Sequence, residues 1–249
     1  MAKTLKYSRK QRNNKSRSTG REDRVVTQYI DPREYDRPRV AQAPKRLEAR
    51  TETQGQYLSS FVSAQLIFGI GPAGTGKTYV AGAWAADQLA DRSVEQIIVT
   101  RPAVETGSPM GFLPGELEEK YAPFLEPFAQ VMIERMGKGA YDCALKNERI
   151  APKPLAYMRG ATFKNAVVIL DEAQNTTPEE MKMFLTRIGE GCTVIVNGDI
   201  QQIDIKGPSG LVDALNRVAH LDRVKVVEFT EDDIVRSGLV KDILRAYRN

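Results

Sequence analysis

Apolar and polar positions alternate between two periods along most of this chain. Short runs of about five residues with apolar centres recur: Leu66-Ile-Phe-Gly-Ile70, Gln96-Ile-Ile-Val-Thr100, Ala166-Val-Val-Ile-Leu170 and Thr193-Val-Ile-Val-Asn197, with Val224-Lys-Val-Val-Glu-Phe229 near the end. Runs this short and this apolar predict strands buried on both faces. Between them, helical spacing predicts helices over 78–89, 115–136, 178–187, 209–219 and 231–247, and a short amphipathic segment opens at Thr51. Thr177 stands as N-cap with Pro178 at the first helical position, and Gly189 and Gly191 close that helix. In the second helix Leu117, Tyr121, Phe124, Leu125, Phe128 and Met132 form one stripe, which reads as core or subunit interface rather than a base-stacking surface. Pro123 and Pro127 are expected to kink or divide it. Strands alternating with helices predict a parallel α/β sheet with helices on both faces.

Charge divides the chain. Residues 1–50 hold 15 Lys/Arg against 6 Asp/Glu, whereas 51–249 hold 21 against 26. The basic character belongs to the first fifth, and residues 1–21 carry 8 Lys/Arg and no acid. With Pro32, Pro38 and Pro44 following, residues 1–50 are expected to be a basic, extended or disordered arm ahead of a domain at 51–249. The arm reads equally as a nucleic-acid contact acting through counterion release and as a solvated tail. No apolar run approaches the roughly 18 residues of a membrane span, and none follows the basic N-terminus as a secretory signal would need. Two distant cysteines, Cys143 and Cys192, suit a reducing compartment. The expectation is a cytoplasmic protein without a membrane partner.

The candidate chemistry begins where the first strand meets the first long helix. Gly71-Pro-Ala-Gly-Thr-Gly-Lys77-Thr78 fits G-x-x-x-x-G-K-[ST], with strand before and helix after, the context this motif requires. Its glycines permit backbone that a Cβ penalises. The loop N–H groups can then converge on phosphate at a helix N-terminus. Lys77 is placed for the β- and γ-phosphates and Thr78 for Mg²⁺. The third strand ends in Asp171-Glu172, read as a carboxylate holding Mg²⁺ through water and a neighbour that orients and deprotonates the attacking water. The fourth strand delivers Gly198-Asp199-Ile-Gln-Gln202 to the same crevice, where Gln202 can sense the γ-phosphate, unless this is only a chain-reversing turn. Arg101, beyond the second strand, is read as a contact for a phosphate backbone or an ion pair with Glu105. Arg236 is read as a charge stabiliser for the γ-phosphate or a surface pair with Asp232 or Asp233. Gln54, ahead of the glycine loop, is a candidate reader of the adenine edge or a plain surface glutamine. No Asn-Lys-x-Asp occurs, which turns the nucleotide expectation toward ATP.

GPAGTGKT, VTRPAVETG followed by GFLPGELEEK, AYMRGATFKNAVVILDEAQN, MKMFLTR, NGDIQQ and EDDIVRSGLV stand in this order. The set resembles the PhoH-like family, P-loop ATPases related to superfamily 1 helicases, over about residues 50–247. That resemblance implies a P-loop NTPase fold with one RecA-like lobe. It implies an ATP-binding, Mg²⁺-dependent ATPase linked to phosphate starvation, acting on RNA or single-stranded DNA as a helicase or translocase. It places catalysis on Lys77, Glu172, Gln202 and Arg236, and metal on Thr78 and Asp171. Nucleotide contacts fall on Gln54 and on Gly71, Pro72, Ala73, Gly74, Thr75, Gly76, Lys77, Thr78 and Tyr79. Superfamily 1 helicases close two lobes over ATP, so a single lobe implies a homo-oligomeric ring, a hexamer favoured, if Arg236 completes a neighbour's site. The competing expectation is an ATP-gated regulatory or assembly protein without unwinding. Adjacent Asp-Glu suits water activation better than transfer to a second substrate, which disfavours a small-molecule kinase.

Overall fold

Six parallel strands carry the molecule: β1 Leu66–Ile70, β2 Gln96–Thr100, β3 Ile150–Pro152, β4 Ala166–Leu170, β5 Thr193–Gly198 and β6 Val224–Glu228, in the spatial order β3-β2-β4-β5-β1-β6. The computed structural model describes residues 46–102 and 117–235 (for 117–124, the helix alone), all within one compact unit. Residues 1–45, most of the expected basic arm, residues 103–116 and the chain from Arg236 onward lie outside the described residues.

The central strands β1 and β4 are buried at every position, which is why they read as unbroken apolar runs rather than alternations. Their side chains divide between two cores. On one face Ile67, Ile97, Ile169 and Ile195 pack with helices α1 Glu52–Ser63, α2 Lys77–Ala90, α3 Leu117–Met136 and α4 Lys138–Lys146. On the other, Phe68, Ile98, Val168 and Val196 pack with α5 Pro178–Leu185 and α6 Gly210–Val218. The fold is the parallel α/β P-loop sheet with helices on both faces that the pattern predicts.

β2 does not lie beside β1; it pairs with β3 and β4, and β5 separates β4 from β1. The edge strand β3 and helix α4 go beyond the elements the pattern predicts, since three residues around a proline give no periodicity. The expected division of α3 at Pro123 and Pro127 does not occur. Leu125, Phe128, Val131 and Met132 are buried, and Phe128 and Val131 pack over Gly82 of α2, where a Cβ would lie 2.8 Å from Val131. Burying these four side chains offsets the roughly 3 kcal/mol that an interior proline costs. In its described part the stripe is therefore core. At the C-terminal end the expected helix does not begin at Glu231. Glu231–Asp233 is a single 3₁₀ turn, and Ile234 is extended.

β1 runs into α2 on one face of the sheet, whereas β4 and β5 lead into α5 and α6 on the other. Connections that diverge in this way open a crevice at the C-terminal ends of β1, β4 and β5.

Candidate nucleotide-binding site

The loop between β1 and α2 turns on three glycines with positive φ: Gly71 at 142°, Gly74 at 87° and Gly76 at 88°. A Cβ on Gly71 would sit 2.3 Å from the Phe229 carbonyl oxygen, so the loop can leave the sheet there only as glycine. Thr75 is fully buried and its hydroxyl donates to the Pro72 carbonyl at 3.0 Å. Gly76 is the N-cap of α2 and supplies no side-chain cap, so the first N–H groups of that helix remain available to an anion. The loop is tied at three points: Gly71 N–H to the Gly198 carbonyl, Val235 N–H to the Gly74 carbonyl, and the Gln54 amide to the Thr75 carbonyl.

A cleft of about 340 Å³ opens beside this loop. Ala73, Gly74, Gly76, Lys77, Thr78 and Tyr79 line one side; Asp171, Glu172, Gly198, Asp199 and Gln202 line the other, with Arg101 and Pro127 at the end. The Lys77 ammonium donates to the Gly71 and Pro72 carbonyls at 2.6 and 2.9 Å and to the Thr75 hydroxyl at 3.3 Å. Burial pushes its pKa below the ordinary value, opposed by the charges of Asp199, Asp171 and Glu172. Bound phosphate would take over those donors, and its negative charge would favour the ammonium form.

Thr78 and Asp171, 93 residues apart, meet here: the Thr78 hydroxyl donates to Asp171 Oδ1 at 3.3 Å. Two oxygen ligands from one helix and one strand suit a hard cation such as Mg²⁺, which is commonly held by one or two protein groups with waters and phosphate completing the shell. No cluster of three or more His, Cys, Asp or Glu forms a separate metal site among the described residues. The residues fit Mg²⁺ bound with a nucleotide. Asp171 is buried, which raises its pKa; Arg101 opposes that rise.

Arg101 is where the structure departs most from expectation. Its guanidinium donates to Asp171 Oδ2 at 2.6 and 3.2 Å and stands 4.0 Å from Glu172. It faces the cleft rather than a surface for a phosphate backbone, and Glu105 lies outside the described residues. The adjacency of β2 and β4 puts the two chain ends side by side, and that pairing is not legible in either strand alone.

Glu172 has φ 56°, a left-handed conformation rare for a non-glycine, and its carboxylate accepts from the Gln174 amide at 2.8 Å. Gln174 lies inside one of the family motifs, yet the sequence reading gives it no role. Gln202 is exposed at the cleft wall, and Tyr79 is exposed at the mouth with its hydroxyl 3.4 Å from Glu134. Gln54 is buried. Its Nε2 donates to the Thr75 carbonyl at 2.8 Å and its Oε1 accepts from Arg50 N–H at 2.9 Å, so its side chain braces the glycine loop. Gln54 sits in the first turn of α1, whose N-cap is Thr51, and there both ends of its amide are engaged by the chain. Arg236 lies outside the described residues.

Residues 46–248 match the family model described as PhoH-like protein. The chain belongs to the PhoH-like protein family. It is 50% identical over 203 residues to Protein PhoH of Escherichia coli K12, covering 80% of this chain and 57% of that one. It is 45% identical over 205 residues to the PhoH-like protein of Bacillus subtilis strain 168, covering 82% of this chain and 64% of that one. The PhoH-like protein of Mycobacterium tuberculosis H37Rv gives 45% identity, 82% and 58%. This chain thus spans about three fifths of the length of these PhoH relatives. Among solved structures, the large terminase from a thermophilic bacteriophage is 13% identical with a TM-score of 0.45, covering 78% of this chain and 49% of that one. The Pif1 helicase of Candida albicans is 16% identical with a TM-score of 0.42, covering 82% and 44%. At such values the fold assignment stands on the strand order and loop, not on these likenesses. No described helix is long and apolar enough to cross a membrane.

Proposed function

We propose that this PhoH-family chain binds ATP with Mg²⁺ and hydrolyses it, and that hydrolysis drives movement on RNA or single-stranded DNA. The observation that carries the ATPase reading is the meeting of Lys77, Thr78, Asp171 and Glu172 in one cleft at the C-terminal edge of a parallel sheet. The loop and the start of α2 would receive phosphate, and Lys77 would balance its charge. Thr78 and Asp171 would hold Mg²⁺, which when bound would supply Lewis-acid polarisation of the phosphoryl oxygens. Glu172 orients and deprotonates water, Gln202 senses the γ-phosphate, and Arg236 stabilises the charge that develops on transfer.

The nucleic-acid part rests on the excess of 15 Lys/Arg over 6 Asp/Glu in residues 1–50. We assign the arm to strand contact and the protein to a ring, a hexamer, in the cytoplasm. Arg101, a candidate strand contact by sequence, is held by Asp171, and that favours the second reading: an ATP-gated assembly or regulator in the response to phosphate starvation, without unwinding.

The test is ATP hydrolysis with and without single-stranded RNA or DNA, with mass from light scattering, for wild type, Lys77→Ala and Glu172→Gln. The proposal expects strand-stimulated turnover in a multimeric peak. Lys77→Ala should lose nucleotide binding. Glu172→Gln should bind ATP yet turn over about 10²-fold or more slowly. Equal slow hydrolysis with and without nucleic acid would select the second reading, and absence of ATP binding would reject both.

A further inference from the structure

We propose that Gln174 is a positioning residue for ATP hydrolysis, holding the Glu172 carboxylate in register with the loop after β5 that carries Gln202. This rests on the reading of Glu172 as the water-activating base.

Gln174 is 1% exposed and uses both ends of its amide. Nε2 donates to Glu172 Oε2 at 2.8 Å; Oε1 accepts the Asp199 N–H at 3.1 Å. A glutamine amide offers a donor and an acceptor on separate atoms at the end of a long side chain without adding charge. A glutamate would still accept from Asp199 but would repel Glu172, and a methionine of similar length would do neither. The approach is prepared by the backbone beneath it. A Cβ on Gly198 would fall 2.9 Å from Gln174 Oε1 and 2.5 Å from Leu211 Cδ2, so a larger residue there would push the amide away.

The contact is the first of a series. The Gln174 carbonyl accepts from the Ser209 hydroxyl at 2.7 Å. Asn175 accepts the Asp204 N–H at 2.8 Å and donates to its carboxylate at 3.4 Å. The Thr176 carbonyl accepts the Gly210 N–H at 2.7 Å. Three consecutive residues, Gln174 to Thr176, therefore grip the beginning, middle and end of the 199–210 stretch. Within that loop Gln202 N–H donates to the Asp199 carbonyl at 3.0 Å. The path from a γ-phosphate sensor to the base runs through Asp199 and a single amide. Glu172 sits in left-handed backbone, a strained conformation for a non-glycine that persists where surrounding contacts hold it. Half of its side chain is exposed, and among the described contacts Gln174 is the hydrogen-bond donor to Oε2, with the Arg101 guanidinium 4.0 Å from Oε1.

The test measures kcat, KM and equilibrium ATP affinity for full-length Gln174→Met and Gln174→Glu, each also in a Glu172→Gln background. Both single variants are expected to lose about 10- to 100-fold in kcat, the scale of a displacement near 1 Å at a reacting group, with ATP affinity within about threefold of wild type. In the Glu172→Gln background neither is expected to slow turnover further, because Gln174 acts through that carboxylate. A joint fall of kcat and affinity, an unchanged kcat, or additive losses in the double variants would overturn the proposal. Gln174→Glu keeps the Asp199 link and carries the test if the methionine variant fails to fold. If wild type hydrolyses ATP and Glu172→Gln stops it, a normal Gln174 series sinks this inference alone. If wild type binds ATP without hydrolysing it, the proposed ATPase falls, and this inference with it.

Discussion

Arg101 and Asp171 form an ion pair at the floor of the nucleotide cleft, with two guanidinium nitrogens on one carboxylate oxygen at 2.6 and 3.2 Å. The same carboxylate accepts from the Thr78 hydroxyl. One buried acid is thus shared by the arginine and by the hydroxyl that the proposed Mg²⁺ would also use. A metal held there would compete with the arginine for it.

Arg101→Ala is expected to destabilise the Mg²⁺-free protein by about 1–3 kcal/mol, less than a fully buried pair because Arg101 is partly exposed. Millimolar Mg²⁺ should narrow the gap, since a cation can replace the guanidinium on Asp171. Urea denaturation of wild type and variant, with EDTA and with Mg²⁺, checks this; a gap indifferent to Mg²⁺ would show that the two do not share the carboxylate.

Gln54→Ala separates a loop brace from a base reader. Removing the amide leaves the Thr75 carbonyl without its donor, at a cost of about 1–3 kcal/mol. Affinity for ATP and GTP should fall by the same factor in equilibrium titrations. A selective loss of ATP binding would return Gln54 to the adenine.

Lys77 makes stability depend on pH in the alkaline range. Its folded pKa lies below its ordinary value of 10.5, so between the two the unfolded chain binds more protons. Stability contributed at this site therefore rises with pH across that window and is lowest below the folded pKa. Lys77→Met removes the dependence. The difference in stability, wild type minus variant, is expected to move in favour of wild type as pH is raised toward 10.5 without nucleotide; a flat difference would contradict the burial argument.

Glycines at two places should respond oppositely. Gly71→Ala forces a Cβ to 2.3 Å from the Phe229 carbonyl at φ 142°, and a loss of about 2–5 kcal/mol is expected from strain and overpacking together. Gly139, inside α4 with nothing within 4 Å of its Cβ position, should gain up to about 1 kcal/mol as alanine. Denaturation curves for both variants, without nucleotide, make the comparison.

What the sequence determined by itself is local. Four of the six strands announce themselves because a parallel strand covered on both faces must be largely apolar, as β1 and β4 are, and β6, at the edge, shows as apolar residues interrupted by exposed Lys225 and Glu228. The glycine loop is legible because positive φ and close approach admit few other residues at Gly71 and Gly76. Asp171-Glu172 stands out because charge directly after such a strand has to face a cleft. Neighbours across the sheet were decided only in three dimensions. Arg101 reaches Asp171 because β2 lies beside β4, Gln174 reaches Asp199 because β5 lies beside β4, and Gln54 reaches the loop because α1 packs against α2. Strand order follows from how whole helices share two cores, a sum over many weak contacts that no single stretch encodes. For this reason a side chain's partner 25 or 70 residues away cannot be read from its own surroundings in the chain.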